Sequence, residues 1–219
     1  MKNFLYACIS VLLCIAIMGA GFVLGKSFNA EPPMVEQEQT SDDAIEDTPD
    51  GNIDGSVSEP EVLTKWQLCD DVTQLNVGDK IILVACYTDF ALGTVQNSSN
   101  RGAVEIVKEE QTVLCGAGVQ TITLEAGVVE NTFAFNVGEG YLYASSTSSN
   151  QLKTRDDIQA NGSWKIEISE TGAASIIAQG TNTRNVLRYN TKSNLFSCYE
   201  SNETQDPLLI YKQADSEEN

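Results

Sequence analysis

The apolar positions of this chain fall into two regimes. Residues 4–24, FLYACISVLLCIAIMGAGFVL, form one uncharged run. As a helix rising about 1.5 Å per residue it spans roughly 30 Å, the hydrocarbon thickness of a bilayer. Beyond residue 61 the apolar positions come in short runs divided by Gly, Asn and Ser. KIILVAC at 80–86 is continuous, and AVEIVK at 103–108 alternates with the period of two that a half-buried strand shows. Strands are predicted at 66–68, 80–86, 89–95, 103–108, 112–115, 119–124, 132–136, 141–144, 164–168, 174–178, 186–189 and 208–212. Turn chemistry separates them at 76–79, 96–102, 116–118, 145–150, 161–162, 170–172 and 180–184. No amphipathic helix is predicted there, and 156–160 is expected to form a single turn.

Three units recur in this half of the chain. Each has an apolar strand, a short strand carrying Leu, a Ser/Asn-rich tip and a strand of the AVEI kind. The first takes 81–85, 91–93, 97–100 and 104–106. The second takes 132–135, 141–143, 148–150 and 164–168. The third takes 175–178, 186–188, 191–194 and 208–211. Leu92, Leu142 and Leu187 stand at equivalent places. One such unit cannot bury its own apolar face, whereas three around an axis close a barrel and leave no open edge. The expected fold is therefore all-β, a β-trefoil-like closed barrel of three repeats, with a β-sandwich or another barrel as the alternative. Trp66 and Leu68 are then expected beside Leu208 and Tyr211.

The N-terminal run reads as an uncleaved signal anchor. A cleavage site at Ala30 would place Phe28 where a small residue is needed, and Leu13 before Cys14 does not suit a lipoprotein signal. Lys2 favours a cytoplasmic N-terminus. Residues 27–61 hold eleven acids and no base, with four of the five prolines, and so cannot bury enough surface to fold. The expected organisation is an anchor at 1–26, an acidic stalk at 27–61, the β module at 62–213 and an acidic tail at 214–219. That places the module outside the cytoplasm, on a single-pass tether in the cell membrane.

Charge and residue types narrow the chemistry. The 219 residues carry 13 Lys+Arg against 31 Asp+Glu, which argues against a nucleic-acid partner. There is no histidine. Ser-His-Asp and Cys-His catalysis are excluded, as is a His-ligated metal site. No CxxC spacing occurs, so no zinc site is expected. A carboxylate-pair glycosidase stays formally open, but the scattered acids of the module give it no specific support, and no cofactor or catalytic activity is expected. Cys69, Cys86, Cys115 and Cys198 lie in the module. They read as free thiols; if a bridge forms, Cys69–Cys115 is expected, since both lie nearer to turns.

The phrases WQLCDDVTQLNVGDKIILVA, ALGTVQNSSNRGAVEI, GSWKIEI and NTRNVLRYNTKSNLFSCY, within 65–212, resemble an accessory module of secreted and surface proteins of gut anaerobes. The resemblance implies an extracytoplasmic, non-catalytic add-on to hydrolases such as nucleases. No enzyme domain accompanies the module in this sequence. The Q-x-W repeats of ricin-type sugar-binding trefoils are absent.

Candidate ligand residues cluster near the polar tips. Asn97, Asn100 and Arg101 flank the first, and Arg184, Asn185, Arg188 and Tyr189 precede the third. Arg and Asn there suit hydrogen bonding to a glycan or a carboxylate, although Asn also serves turns on backbone grounds alone. Tyr141, Tyr143, Tyr189 and Tyr199 are stacking candidates. The expected function is a monomeric surface module binding a glycan, wall component or peptide. The alternatives are a domain docking another surface protein, or a hydrolase inhibitor.

Overall fold

A computed structural model describes residues 63–214. The anchor, the stalk and most of the tail lie outside the described residues. Fifteen strands form one antiparallel system. They are β1 (Thr64–Cys69), β2 (Lys80–Ala85), β3 (Phe90–Gln96), β4 (Arg101–Glu105), β5 (Val107–Lys108), β6 (Thr112–Cys115), β7 (Ile122–Ala126) and β8 (Phe133–Asn136). Then follow β9 (Tyr141–Ala144), β10 (Leu152–Arg155), β11 (Ser163–Ile168), β12 (Ala174–Ala178), β13 (Val186–Asn190), β14 (Leu195–Tyr199) and β15 (Leu208–Gln213).

Six of these strands close a ring. β2 pairs with β7, β7 with β8, β8 with β11, β11 with β12, β12 with β15, and β15 returns to β2. Between successive pairs of ring strands the chain makes a hairpin: β3–β4, β9–β10 and β13–β14. Each repeat is thus a ring strand, a hairpin and a second ring strand. The all-β fold resembles a β-trefoil. Inside the ring pack Ile81, Leu83, Ile122, Leu124, Phe135, Trp164, Ile166, Ile176, Leu208 and Ile210. Leu92, Leu142 and Leu187 enter the same core from the three hairpins, each at most 1% exposed.

A second layer lies outside the ring. β1 pairs with β15 on one side and β6 on the other, and β5 pairs with β6. This flap explains the uninterrupted apolar run of β2. Ile81, Leu83 and Ala85 face the ring interior, while Ile82 and Val84 pack outward with Trp66, Val113, Leu209 and Tyr211. A strand covered on both faces has no solvent side on which to alternate. Leu68 lies opposite Tyr211, so the first and last described strands pair as expected.

Several expectations are corrected. The second ring strand of repeat one is β7, not residues 104–106. Val104 and Glu105 end the hairpin strand β4, opposite Ala91 and Phe90, and Ile106 packs in the flap cluster. The flap strands β5 and β6 are inserted before the ring resumes, which displaces the repeat. β10 and β14 were not anticipated. The turn expected at 156–160 is a single 3-10 turn at Ala160–Gly162. A Cys69–Cys115 bridge does not form, and all four module cysteines are free. Cys115 faces Thr64 across the β1–β6 ladder. Cys69 is five residues further along β1, roughly 16 Å away, whereas a disulfide needs its Cα atoms about 4–7 Å apart.

Candidate functional site

Each hairpin has an inward and an outward row, because successive strand residues point to opposite faces. Inward, Leu92 is opposite Ala103, Leu142 opposite Thr154 and Leu187 opposite Cys198. The next position along each first strand points outward: Gly93, Tyr143 and Arg188. Here the three repeats differ.

In repeat one the chain closes its own edge. Gly93 bridges to Val119, Thr94 N donates to Gly118 O at 2.9 Å, and Gln120 N donates to Leu92 O at 2.7 Å. No side chain fits at Gly93: a Cβ there would stand 2.8 Å from Gly102 O. In repeat three, Tyr189 and Asp206 exchange backbone hydrogen bonds of 3.1 and 3.0 Å. In repeat two the corresponding segment takes the 3-10 turn instead, and Leu142 O accepts the Trp164 indole N–H at 3.2 Å.

The outer face of the second hairpin carries Tyr141 and Tyr143 on β9, opposite Arg155 and Lys153 on β10, all partly exposed. The Arg155 guanidinium lies 5.2 Å from the Tyr143 ring centroid. Its Nη2 pairs with Asp157 at 2.7 Å, and Nη1 donates to Gln159. Hydrogen bonding from Arg155 holds the Asp157 carboxyl below its usual range. The Tyr141 hydroxyl donates to Glu125 at 2.9 Å, and Asn136 Nδ2 donates to the other Glu125 oxygen at 2.6 Å. The bond to Glu125 raises the Tyr141 phenol above its ordinary value. The face thus offers aromatic rings with polar edges, two cations, and carboxylate and amide groups held in place. Such groups can stack on a ring and hydrogen-bond hydroxyls around it.

The residues singled out from sequence do not gather on this face. Arg101 is 1% exposed and sits within the layer of three hairpins, the cap. It donates to Gln96 at 3.1 Å, Gln120 at 2.6 Å, Thr154 at 2.9 Å, and the carbonyls of Gly93 and Thr94. Burial lowers its pKa. Tyr189 is 2% exposed, stacked on Phe90 and tilted against Phe196. Both are corrections: these side chains hold the cap together and offer no surface. Asn97 Nδ2 donates to Asn100 Oδ1 at 2.8 Å, closing the first tip. Asn185 Nδ2 donates to Ala178 O at 3.0 Å. Arg184 is held by Glu200 at 3.1 Å and Glu203 at 2.8 Å, and reaches Asn150 of the second tip. Arg184 and Arg188 each keep a buried Nε without an acceptor, and Arg188 lines a cleft.

Lys153, Arg155, Asp157, Glu125 and Asn136 were missed. β10 reads LKTR, and its single core leucine is too weak a signal for a strand. Once LKTR is paired with YLYA, alternation places Lys153 and Arg155 beside the tyrosines.

No family model matches this chain, and no curated protein matches it. Among solved structures it is similar to the apo BEL β-trefoil, at 13% identity and a TM-score of 0.48, covering 64% of this chain and 96% of that one. A GH43 β-1,3-galactosidase matches at 10% identity and a TM-score of 0.48, covering 69% of this chain and 32% of that one. The designed three-fold symmetric protein ThreeFoil matches at 14% identity and a TM-score of 0.46, covering 62% of this chain and 99% of that one.

Proposed function

We propose that this protein is a membrane-tethered, extracytoplasmic, non-catalytic module that binds a glycan through the outer face of β9–β10. The observation that carries the reading is the face itself: Tyr141 and Tyr143, with Arg155 and Lys153 opposite, on the hairpin whose outer edge is met by the Trp164 and Asn182 side chains and not by backbone pairing. Arg155 is already oriented by Asp157 and Gln159, so little side-chain entropy is lost when a ligand docks against Tyr143. The tether follows from the uncharged run at 4–24 and the acidic stalk, and the non-catalytic reading from the absence of histidine. A glycan array probed with the wild-type protein and Tyr143→Ala in parallel tests the proposal. Binding to a defined set of glycans, lost in the variant, supports it; no glycan retained by the wild type contradicts it.

A second reading, docking of another surface protein, is favoured by the flap. Leu63, Val107 and Leu114 are 53%, 70% and 40% exposed there. They line one cleft of about 490 Å³ with Val104, Ile106 and Val119. Exposed apolar groups gathered on one surface mark interaction sites. Val107→Glu distinguishes the readings: it blocks a protein partner and leaves glycan binding intact.

A further inference from the structure

The third hairpin holds a polar pair that the glycan face does not use. Arg188 on β13 stands opposite Ser197 on β14, in the outward row. Ser197 is 1% exposed, and its hydroxyl has no hydrogen-bond partner. Arg188 Nη1 donates to Gln205 O at 3.1 Å, while its buried Nε has no acceptor. The chain's other arginines are engaged: Arg101 by neutral acceptors, Arg155 by Asp157, and Arg184 by two glutamates, although the Arg184 Nε is likewise buried without an acceptor. Among the described residues no carboxylate pairs with Arg188. A guanidinium N–H left buried without an acceptor is costly. In a module with an excess of acids, a guanidinium on a cleft wall that pairs with none of them is matched to an anion from outside.

Arg188 lines a cleft of about 200 Å³ with Ser169, Ala173, Ala174, Ser175, Val186, Leu187 and Pro207. No acid lines it to compete for the guanidinium. The volume falls below the range of about 300–1,000 Å³ usual for small-molecule pockets, so it suits the end of a chain. Apart from Arg188, Ser169 and Ser175 its walls are small and aliphatic, and no aromatic ring lines it for a sugar to stack on.

We infer that this cleft binds the C-terminal carboxylate of a peptide ending in a small apolar residue. Arg188 takes the carboxylate, and the aliphatic wall takes the last side chain. A planar guanidinium offers parallel N–H groups that match two carboxylate oxygens. Lysine, a point charge, cannot reproduce it.

The test uses the isotope-labelled full chain in detergent, titrated with N-acetyl-Ala-Ala, its C-terminal amide, and glucuronate, each over about 1–50 mM. Saturable NMR shifts at Ser175, Leu187 and Arg188 are expected with the free acid. The amide and glucuronate are expected to bind at least tenfold more weakly. Arg188→Gln removes the response and Arg188→Lys weakens it severalfold, whereas Arg184→Gln and Tyr143→Ala leave it unchanged. Equal binding of acid and amide, equal binding of glucuronate, or no saturable response to the acid overturns the inference. Comparing acid with amide on the wild type does not depend on any variant folding. Because Tyr143→Ala spares this response, failure here is separable from failure of the glycan reading.

Discussion

Arg101 donates through Nη2 to the Thr154 hydroxyl at 2.9 Å, joining the hairpin of repeat one to that of repeat two. The same guanidinium reaches Gln96 and Gln120, and so ties the inserted segment before β7 to the cap. Removing it ends the cost of burying a charge but strands several acceptors inside the cap. The stranded acceptors outweigh the relief, since each buried unsatisfied group costs about 1–3 kcal/mol. Arg101→Met is expected to destabilise the module by about 2–3 kcal/mol in equilibrium urea unfolding. Asn97→Ala, at an exposed tip, is expected to stay within about 0.5 kcal/mol of wild type.

Leu92, Leu142 and Leu187 fill equivalent places in one core. Truncating any of them to Ala removes the same group from a close-packed interior, at a cost of about 2–5 kcal/mol. The three urea midpoints should therefore fall together. A variant near wild type would show that its repeat is not packed as described.

Much of this equivalence was legible in the sequence. Each leucine lies on a short apolar strand before a Ser/Asn tip, and that pattern alone sets the three units. The return strands LKTR and LFSCY were not legible. Each is short, and β14 buries Phe196, Ser197, Cys198 and Tyr199 in succession, so it shows no alternation. The flap hid the phase of repeat one, because Ile106 serves the outer cluster and β7 comes later than the other repeats suggest. The site was legible only in part. Tyr141 and Tyr143 stand out by type, but the partners of Arg101 and Arg184 lie far along the chain, at Thr154 and Glu203. Only tertiary packing separates those structural arginines from one on a cleft.

Tyr211 is fully buried, and its hydroxyl has no hydrogen-bond partner. Burial pushes its phenol from 10.0 up to about 12. A raised folded-state pKa leaves stability intact below the unfolded value near 10 and removes it as the pH climbs through about 12. Tyr211→Phe is expected to remove this part of the alkaline loss. At neutral pH it should be neutral or stabilising by about 1 kcal/mol, since an orphaned hydroxyl is deleted. Urea unfolding of both proteins from pH 7 to 12 measures the difference.

Burial raises the pKa of all four module thiols, which slows attack by the thiolate. Cys86 is partly exposed, whereas Cys69, Cys115 and Cys198 are buried. Alkylation followed by mass spectrometry is expected to modify Cys86 first and the other three only on unfolding. Non-reducing peptide maps should contain no Cys69–Cys115 pair.

Contact between a glycan and the Tyr143 face is the central claim. The direct measurement is an NMR titration of the full chain in detergent with the strongest array ligand. Saturable shifts are predicted at Tyr141, Tyr143, Lys153 and Arg155, with Tyr143→Ala weakening binding at least tenfold. Shifts confined to the flap or to the first and third hairpins, with Tyr143→Ala binding as wild type does, would contradict the account.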